Sequence, residues 1–297
     1  MKKASKNGKK GGKTLIIIFL VLGVLFLGIG IFLLIGKNDS LTVTHYTIKT
    51  DKISGRIRIV QISDLHSNYY GEDQEELLGE IDRLSPDVVV ITGDLFDHRV
   101  SEDGAEALLK GLSGRYPLYY VTGNHEYYKG LNTYYKYMSI LSRYDVQRLS
   151  GQAFPLSVGN DTIWIAGVDD PFKTKIGNAE PYLASFEEQL IVARQVADRD
   201  RFTVLLSHRP EKMTEYARRG YDLVLSGHAH GGQIRIPGTE QGLFAPHQGL
   251  FPKYTGGTVY EEGDTKMIVS RGLARDALYQ PRVFNPPELV VIDVTKE

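Results

Sequence analysis

The hydrophobic positions of this chain follow two patterns that meet near residue 37. Residues 14–35 contain no charged side chain and are rich in Leu, Ile, Phe and Val. As a helix this run would be about 33 Å long, which is enough to cross a bilayer once. Beyond residue 56, short apolar runs alternate with segments of helical periodicity. That alternation predicts repeated β-α-β units and a buried, largely parallel sheet.

The individual elements can be placed from the same pattern. Strands are predicted at 58–62, 87–92, 118–122, 162–166, 202–206, 223–225, 266–269 and 289–294. Helices are predicted at 73–84, 105–112, 134–141 and 187–196. A leading strand and a turn are predicted between residues 38 and 55. The chain therefore divides into a basic tail (1–13), a transmembrane helix (14–35), a linker with the leading strand (36–55) and one large domain (56–297).

Charges around the apolar run indicate how it is oriented in a membrane. Six lysines precede it, namely Lys2, Lys3, Lys6, Lys9, Lys10 and Lys13. By the positive-inside rule, we expect a single-pass membrane protein with a cytoplasmic N-terminus and an external domain. A cleaved signal peptide is the alternative, but its apolar core is usually shorter. The residues after the run, 36–39, also lack a small-residue cleavage site.

Composition narrows the classes of partner and of chemistry. Seven of the 35 basic residues and none of the 36 acidic residues lie in the first 37 positions, so the remainder is acidic. We therefore expect no nucleic-acid partner. The chain has no cysteine, which excludes disulfides and leaves only oxygen and nitrogen ligands for a metal.

Metal-ligand residue types follow five of the predicted strands. The segments are Asp64-Leu65-His66, Gly93-Asp94, Gly123-Asn124-His125-Glu126, Ser207-His208 and Gly227-His228-Ala229-His230. Ligands of parallel sheets bind outside the carboxyl ends of the strands, so these side chains are expected to converge. Clustered imidazole and carboxylate groups predict a two-metal site, of the kind that hydrolyses phosphate esters or peptides. An isolated strand-end residue such as Asp94 could instead cap a helix.

The ordered set of segments closely resembles the calcineurin-like metallophosphoesterase superfamily, from Ile57 to Gln233. The resemblance implies an α/β fold in which two mixed β-sheets form a sandwich flanked by helices. It also implies two divalent metal ions, whose identity (Mn, Fe, Zn or Mg) the sequence leaves open. One ion would be held by Asp64, His66 and His230, the other by Asn124, His208 and His228, with Asp94 bridging both.

Further roles follow from the same resemblance. His125 would protonate the leaving group, although a hydrogen-bonded loop histidine is the alternative. Asp97 matches the carboxylate that orients this histidine, but it could instead cap the following helix. The protein Ser/Thr phosphatases of the superfamily usually carry Arg after that Asp, whereas this chain has His98 and then Arg99. A phosphoprotein substrate is therefore not expected.

A narrower resemblance is to membrane-anchored or exported bacterial phosphodiesterases, of the UDP-diacylglucosamine pyrophosphatase type. It is carried by residues 227–237, 270–273 and 285–288. Within these segments Gln233, Arg235 and Arg271 either contact substrate or stabilise the fold. His45 and His247 match no motif and are expected to be ordinary surface or loop histidines.

We therefore expect a membrane-anchored, metal-dependent phosphohydrolase that cleaves phosphodiester or pyrophosphate bonds of a phosphorylated envelope or lipid-linked small molecule. A phosphomonoesterase is the close alternative. A membrane-tethered binding or sensor module with a vestigial site is the alternative of another class. Tyrosines also cluster beside the motifs, where they could form a membrane-facing rim, stack on a nucleoside or pack as partly buried loop residues. Partial burial is the favoured interpretation.

Overall fold

The computed structural model describes residues 8–172, 184–275 and 281–297. Lys2, Lys3 and Lys6 of the basic tail lie outside the described residues. The helices are α1 (Gly8–Gly36), α2 (Glu75–Leu84), α3 (Asp103–Leu112), α4 (Leu131–Arg143), α5 (Phe186–Val196) and α6 (Met213–Arg219).

The strands alternate with these helices as the apolar pattern predicts. They are β1 (Thr42–Thr50), β2 (Arg56–Ile62), β3 (Val88–Thr92), β4 (Leu118–Val121), β5 (Gln147–Arg148), β6 (Gln152–Val158), β7 (Asp161–Gly167), β8 (Thr203–Leu206), β9 (Leu223–Ser226), β10 (Phe244–Ala245), β11 (Gly249–Leu250), β12 (Val259–Glu262), β13 (Thr265–Val269) and β14 (Glu288–Lys296).

The strands form two six-stranded sheets and one small hairpin. The first sheet has the order β1-β14-β2-β3-β4-β5, in which β2 to β5 are parallel and β14 is antiparallel to β2. The second sheet has the order β12-β13-β9-β8-β7-β6, with four parallel strands between two antiparallel edges. β10 and β11 pair as an antiparallel hairpin. The prediction of two mixed sheets is thereby confirmed.

Three apolar layers hold the sheets and helices together. One lies between the first sheet and helices α2 to α4, one between the two sheets, and one between the second sheet and helices α5 and α6. Strands β3 and β8 have no exposed residue, because both faces of each sheet are covered. This explains their continuous apolar sequence. β6, β12 and α6 were not predicted, because their short segments lack a clear apolar period.

Helix α1 stands apart from these layers. Residues Thr14–Gly36 form a candidate membrane span with a mean hydropathy of 3.2, in which Gly36 is buried but residues 14–35 are not. This apolar helix near the N-terminus suggests a single-pass membrane protein. Its last residue is nevertheless joined to the domain, because the amide of Phe284 donates to the carbonyl of Gly36 over 2.6 Å.

A buried glutamine connects the two sheets. The Nε2 atom of Gln61 in β2 donates to Thr92 Oγ1 in β3 and to the carbonyl oxygen of Ser226 in β9, each over 2.9 Å. The side chain is fully buried, and it is the donor for Thr92 Oγ1, whereas the Ser226 carbonyl also accepts from the amide of Ser270 over 2.8 Å. Gln61 thus sets the register of the sheets just below the strand ends.

We expect Gln61→Leu to lower the free energy of unfolding by about 1–3 kcal/mol, because it removes two buried hydrogen bonds and leaves Thr92 Oγ1 without this donor. Urea unfolding of the full chain in mild detergent, followed by the fluorescence of Trp164, would measure this. Gln147→Leu, at an exposed position of β5, is the matched control and should stay within about 0.5 kcal/mol of the parent. Equal stabilities for the two variants would contradict the structural role of Gln61.

Candidate metal centre

The residues singled out in the sequence meet where the parallel strands of both sheets end. They follow β2 (Asp64, His66), β3 (Asp94), β4 (Asn124, His125), β8 (His208) and β9 (His228, His230). All are buried, with at most 9% of the surface of any of these residues exposed. Residues more than 150 positions apart are therefore collected in one place, because the parallel strands of the two sheets point the same way.

The first cluster contains Asp64, His66, Asp94 and His230, and one ligand atom from each lies within 4.8 Å of the others. His230 Nε2 is 3.5 Å from Asp64 Oδ1, and His66 Nε2 is 3.7 Å from Asp94 Oδ2. These separations exceed a hydrogen bond, so the side chains face one another around a common point without closing on it.

The second cluster contains Asp94, His208 and His228, and one ligand atom from each again lies within 4.8 Å of the others. His208 Nε2 lies 3.3 Å from Asp94 Oδ2 and 3.1 Å from His228 Nδ1. Asn124 lies at the end of the adjacent strand, and its amide Nδ2 donates to Tyr128 Oη over 2.8 Å. The two clusters therefore share one carboxylate, that of Asp94.

Two buried polar atoms support metal binding here. His66 Nε2 and Asn124 Oδ1 are inaccessible to solvent and make no hydrogen bond within the described part of the chain. A buried acceptor without a donor costs free energy, and a cation would remove that cost. The donor set of imidazole, carboxylate and amide oxygen fits a divalent transition metal or Mg²⁺. The clustered residues thus suggest a divalent metal site.

Two of the histidines already have the protonation state that ligation requires. Burial and the nearby cationic Arg209 hold the pKa of His228 well below its ordinary value. Burial and the charge of His66 do the same for the pKa of His230. Both imidazoles are therefore neutral at physiological pH, and a neutral imidazole has the lone pair that a metal requires. His208 differs, because the charge of Asp94 and a hydrogen bond to it outweigh burial and raise the pKa of His208 to about 10, so a metal would have to displace its proton.

The backbone is strained at the same residues. Asp64, His66, Asp94, His228 and His230 all have φ between 46° and 67°, in the left-handed region that non-glycine residues rarely adopt. Such conformations persist only where the surrounding structure imposes them, and they concentrate at functional sites. Tight turns after the strands thus direct these side chains inwards.

Close packing around Asp94 and Asp64 requires two glycines. A Cβ atom at Gly123 would overlap the Asp94 carboxylate, and one at Gly227 would overlap the side chains of Ser63 and Asp64. The absence of a side chain at these two positions thus lets the backbone approach the site closely.

Glu126 holds the loops around Asp94, a role that the sequence did not reveal. Its buried carboxylate accepts from the amides of Asp94 and Phe96, each over 3.1 Å, and from that of Gly123 over 2.7 Å. Burial and the charge of Asp94 raise its pKa to about 7. The residue belongs to the Gly-Asn-His-Glu segment, so its place in that motif was the only available signal.

Asp97 contacts two histidines of the site. Its Oδ2 atom is 3.0 Å from His66 Nδ1 and 3.2 Å from His125 Nδ1, and Arg99 binds the same carboxylate. The next helix begins only at Asp103, so Asp97 is not its N-cap. Burial alone would lower the pKa of His125, but the charges of Asp94 and Asp97 and a hydrogen bond that its Nδ1 donates to Asp97 raise it.

Arg209 and His247 also lie at the second cluster, and neither was identified from the sequence. The buried Arg209 forms a two-pronged ion pair with Asp170, and its Nη1 atom lies 2.8 Å from His228 Nε2 and 2.7 Å from His247 Nδ1. His247 is an exposed loop histidine, as expected, but the sequence did not reveal that it contacts His228. Its segment carries no motif, and only the hairpin β10–β11 brings it to the site.

A cavity of about 240 Å³ opens over the two clusters. Its lining residues are Asp94, His98, Arg99, Asn124, His125, Tyr128, His228, His230, Gln233, Pro246 and His247. The structure therefore brings Gln233 to the cavity, together with the aromatic ring of Tyr128.

Arg235 and Arg271 were expected either to contact substrate or to stabilise the fold, and neither lines this cavity. Arg235 is paired with Glu240, and Arg271 lies 3.0 Å from a Glu288 carboxylate oxygen. Their guanidinium groups are thus engaged within the fold, which favours the fold-stabilising interpretation.

Most tyrosines near the motifs are packing residues. Tyr70, Tyr127, Tyr134 and Tyr137 are buried, whereas Tyr128 keeps 42% of its surface exposed. Tyr128 is the member of the group that faces the cavity, where its ring packs against His98 and His125.

Comparison with known proteins agrees with this geometry. Residues 57–232 match the family model described as calcineurin-like phosphoesterase. The chain is 31% identical to a metallophosphoesterase of Aquifex aeolicus over 86% of this chain and 92% of that protein. It is 31% identical to the metallophosphoesterase YkuE of Bacillus subtilis, over 84% of this chain and 83% of YkuE.

Two further similarities are more partial. The Bos taurus "transmembrane protein with metallophosphoesterase domain" is 34% identical over 60% of this chain and 41% of its own length. Among solved structures, the NAD nucleotidase NadN of Haemophilus influenzae aligns with a TM-score of 0.51 and 17% identity, over 73% of this chain and 45% of that one. The latter supports the fold alone. The family match and the long alignments establish that this chain belongs to the calcineurin-like phosphoesterase family and is a metal-dependent phosphoesterase.

Proposed function

We propose that this protein is a membrane-anchored dinuclear phosphohydrolase that cleaves phosphodiester or pyrophosphate bonds of an envelope or lipid-linked small molecule. The observation that carries the proposal is the pair of carboxylate–imidazole clusters that share Asp94. Two dications held a few ångströms apart repel each other, and a common carboxylate reduces that repulsion. A single-metal enzyme would not need the second cluster.

Each cluster has a complete set of oxygen and nitrogen ligands. Asp64, His66 and His230 would hold one ion, Asn124, His208 and His228 the other, and Asp94 both. Ions bound there would supply the positive charge that polarises a phosphoryl oxygen and acidifies an attacking water. Asp97 supports this arrangement from behind, because a carboxylate on Nδ1 of His66 leaves Nε2 to face the ion.

His125 acts on the leaving group in this proposal. Asp97 contacts its Nδ1 atom, which fixes the ring and favours the protonated form. The proton on Nε2 can then pass to the departing oxygen as the ester bond breaks. His125 lines the cavity beside Asn124, where a phosphate ester would lie.

The cavity walls favour a diester or pyrophosphate over a monoester. A monoester carries two negative charges, and the protein Ser/Thr phosphatases of the superfamily usually carry an arginine where this chain has His98. Here burial and the charge of His125 lower the pKa of His98, so it adds no positive charge at neutral pH. Tyr128 and Pro246 supply uncharged surface for a second ester substituent.

The membrane-anchored, external topology rests on the apolar helix and on the lysines that precede it. The relative named as a transmembrane protein with a metallophosphoesterase domain supports the combination of span and domain.

The first prediction concerns the shared carboxylate. Full-length protein reconstituted with Mn²⁺ should bind about two ions per chain and hydrolyse bis-p-nitrophenyl phosphate faster than p-nitrophenyl phosphate. Asp94→Asn should weaken binding at both positions, because it removes the charge that both clusters share. Elemental analysis and turnover would be measured together.

Asp293→Asn is the matched control for that prediction, because Asp293 pairs with Arg58 away from the cavity. It should keep both metal ions and normal turnover. Full metal content in Asp94→Asn would exclude the bridging role, and faster turnover of the monoester would indicate a phosphomonoesterase.

The second prediction separates proton transfer from metal binding. His125→Ala should keep its metal content and slow the hydrolysis of an alkyl phosphodiester by roughly 10²–10⁴. Hydrolysis of p-nitrophenyl esters should suffer less, because that leaving group departs as a stable anion. His208→Ala is the contrasting variant, which should lose metal and slow both esters alike. If His125→Ala lost metal or slowed both esters equally, it would not be the general acid.

The third prediction concerns topology and uses the absence of cysteine from the chain. A single cysteine at exposed position Asp200 should react with a membrane-impermeant maleimide in intact spheroplasts. One at Ser5 should react only after lysis, because the positively charged tail stays in the cytoplasm. The opposite labelling pattern would invert the proposed orientation, and release of the domain into the medium would indicate a cleaved signal sequence.

A further inference from the structure

The apolar helix joins the domain at the same end of the strands as the candidate metal centre. β1 and β14 are parallel and begin together, with Thr42 opposite Glu288. β14 runs antiparallel to β2, so that Val290 lies opposite Gln61 near the carboxyl end of β2. The segment that leaves helix α1 therefore enters the fold beside the strand ends that carry the metal-ligand residues.

No flexible spacer separates helix α1 from the domain. Lys37 forms a β-bridge with Val283, and the ring of Phe32 lies 5.0 Å from that of Phe284. A cavity of about 410 Å³ between the helix end and residues 235–239 is bordered by both. If the helix spans a bilayer, this edge of the domain has to lie close to the membrane surface.

A ladder of backbone contacts extends from the helix end to the active-site hairpin. Val283 forms a β-bridge with Ile234. The amide of Leu243 donates to the Ile234 carbonyl over 2.8 Å, and the amide of Phe251 donates to the Leu243 carbonyl over 2.9 Å. Four steps of this ladder separate Lys37 from Phe251. At about 4.8 Å between neighbouring strands, the ladder is therefore about 19 Å wide.

Exposed apolar side chains follow this ladder. Ile236 is 43% exposed, Phe244 41%, Leu250 69% and Phe251 61%. We call these four residues the hairpin surface. The tip of the same hairpin carries Pro246 and His247, which line the active-site cavity. Apolar exposure thus continues from the membrane helix to the mouth of the cavity.

The charges near the hairpin surface suit a lipid headgroup region. The acidic residue between positions 234 and 255 is Glu240, which is neutralised by its ion pair with Arg235. Lys253 lies over the ring of Tyr254, 4.8 Å from its centre. Aromatic and aliphatic side chains beside a lysine are the composition that binds the interface of anionic membranes.

We propose that the hairpin surface is a second bilayer contact, inserted at the boundary between headgroups and acyl chains beside helix α1. The contact orients the domain so that its cavity opens along the membrane. A phosphate ester on a lipid would then enter from the bilayer side, while its acyl chains stay among the lipids. This last consequence rests on the proposed function, whereas the contact itself does not.

Fluorescence can test the contact in the full chain. Leu250→Cys and Phe251→Cys, labelled with an environment-sensitive dye, would be reconstituted into nanodiscs that contain anionic phospholipid. Val196→Cys is the matched control, because it is 53% exposed and lies at the end of α5, which leads to the opposite edge of the sheet. Dyes at 250 and 251 should shift to the blue and be quenched by nitroxide-labelled lipid, and the dye at 196 should show neither effect.

Water-like emission at 250 and 251 would overturn the proposal. A blue shift without quenching by nitroxide lipid would also overturn it, because the surface would then be covered by protein, such as a second copy of the chain.

Turnover tests the entry of substrate from the bilayer. The double variant Leu250→Ser with Phe251→Ser should raise KM several-fold for hexadecyl p-nitrophenyl phosphate embedded in the nanodisc. It should leave the soluble bis-p-nitrophenyl phosphate unaffected. The control is Val192→Ser with Val196→Ser, at two exposed positions of α5. Equal losses on both substrates would contradict entry from the bilayer. Absence of turnover in the parent protein would refute the proposed function and leave the fluorescence result to decide the contact.

Discussion

The candidate metal centre of this protein depends on a concentration of ionisable side chains at one buried end of the two sheets, centred on Asp94. Its carboxylate lies within 4 Å of imidazole nitrogens of both His66 and His208, and it belongs to both clusters. Burial of a charged group is costly unless opposite charge and hydrogen bonds compensate it. Here the surrounding histidines outweigh burial and keep the pKa of Asp94 well below its ordinary value.

The surrounding structure stabilises this arrangement by several means. Glu126 fixes the amides of the loops after β3 and β4, and Asp97 fixes two imidazole rings. The left-handed backbone of the candidate ligands stores strain that the two packed sheets must support. Gln61 holds the sheets in register directly beneath these turns. The strained polar turns therefore depend on the large apolar interior, because rigid, well-packed strands hold the turns in place.

The apolar helix α1 joins the domain at a position that bears on how substrate could reach the site. Because β1 and β14 both begin at the edge where β2 ends, helix α1 joins the domain beside the cavity and not at the far side of the sandwich. The short loops and the hairpin between positions 234 and 251 connect the two through backbone hydrogen bonds. In the proposed arrangement, catalysis and membrane attachment are neighbours, which suits a substrate whose phosphate stands at the lipid surface.

The sequence alone determined the main alternation of strands and helices, the apolar span, the family and the candidate ligands, because each depends on local periodicity or on residues adjacent to a strand end. It did not reveal β6, β12 or α6. Tertiary structure decided what depends on distant segments. His247 reaches His228 through a hairpin that carries no motif, and Arg209 contacts both. Arg235 lies within a motif, but its guanidinium group forms an ion pair with Glu240. The position of a residue along the chain indicates which strand it follows. Its contacts depend on how the strands pack, and that packing is fixed by the whole apolar interior.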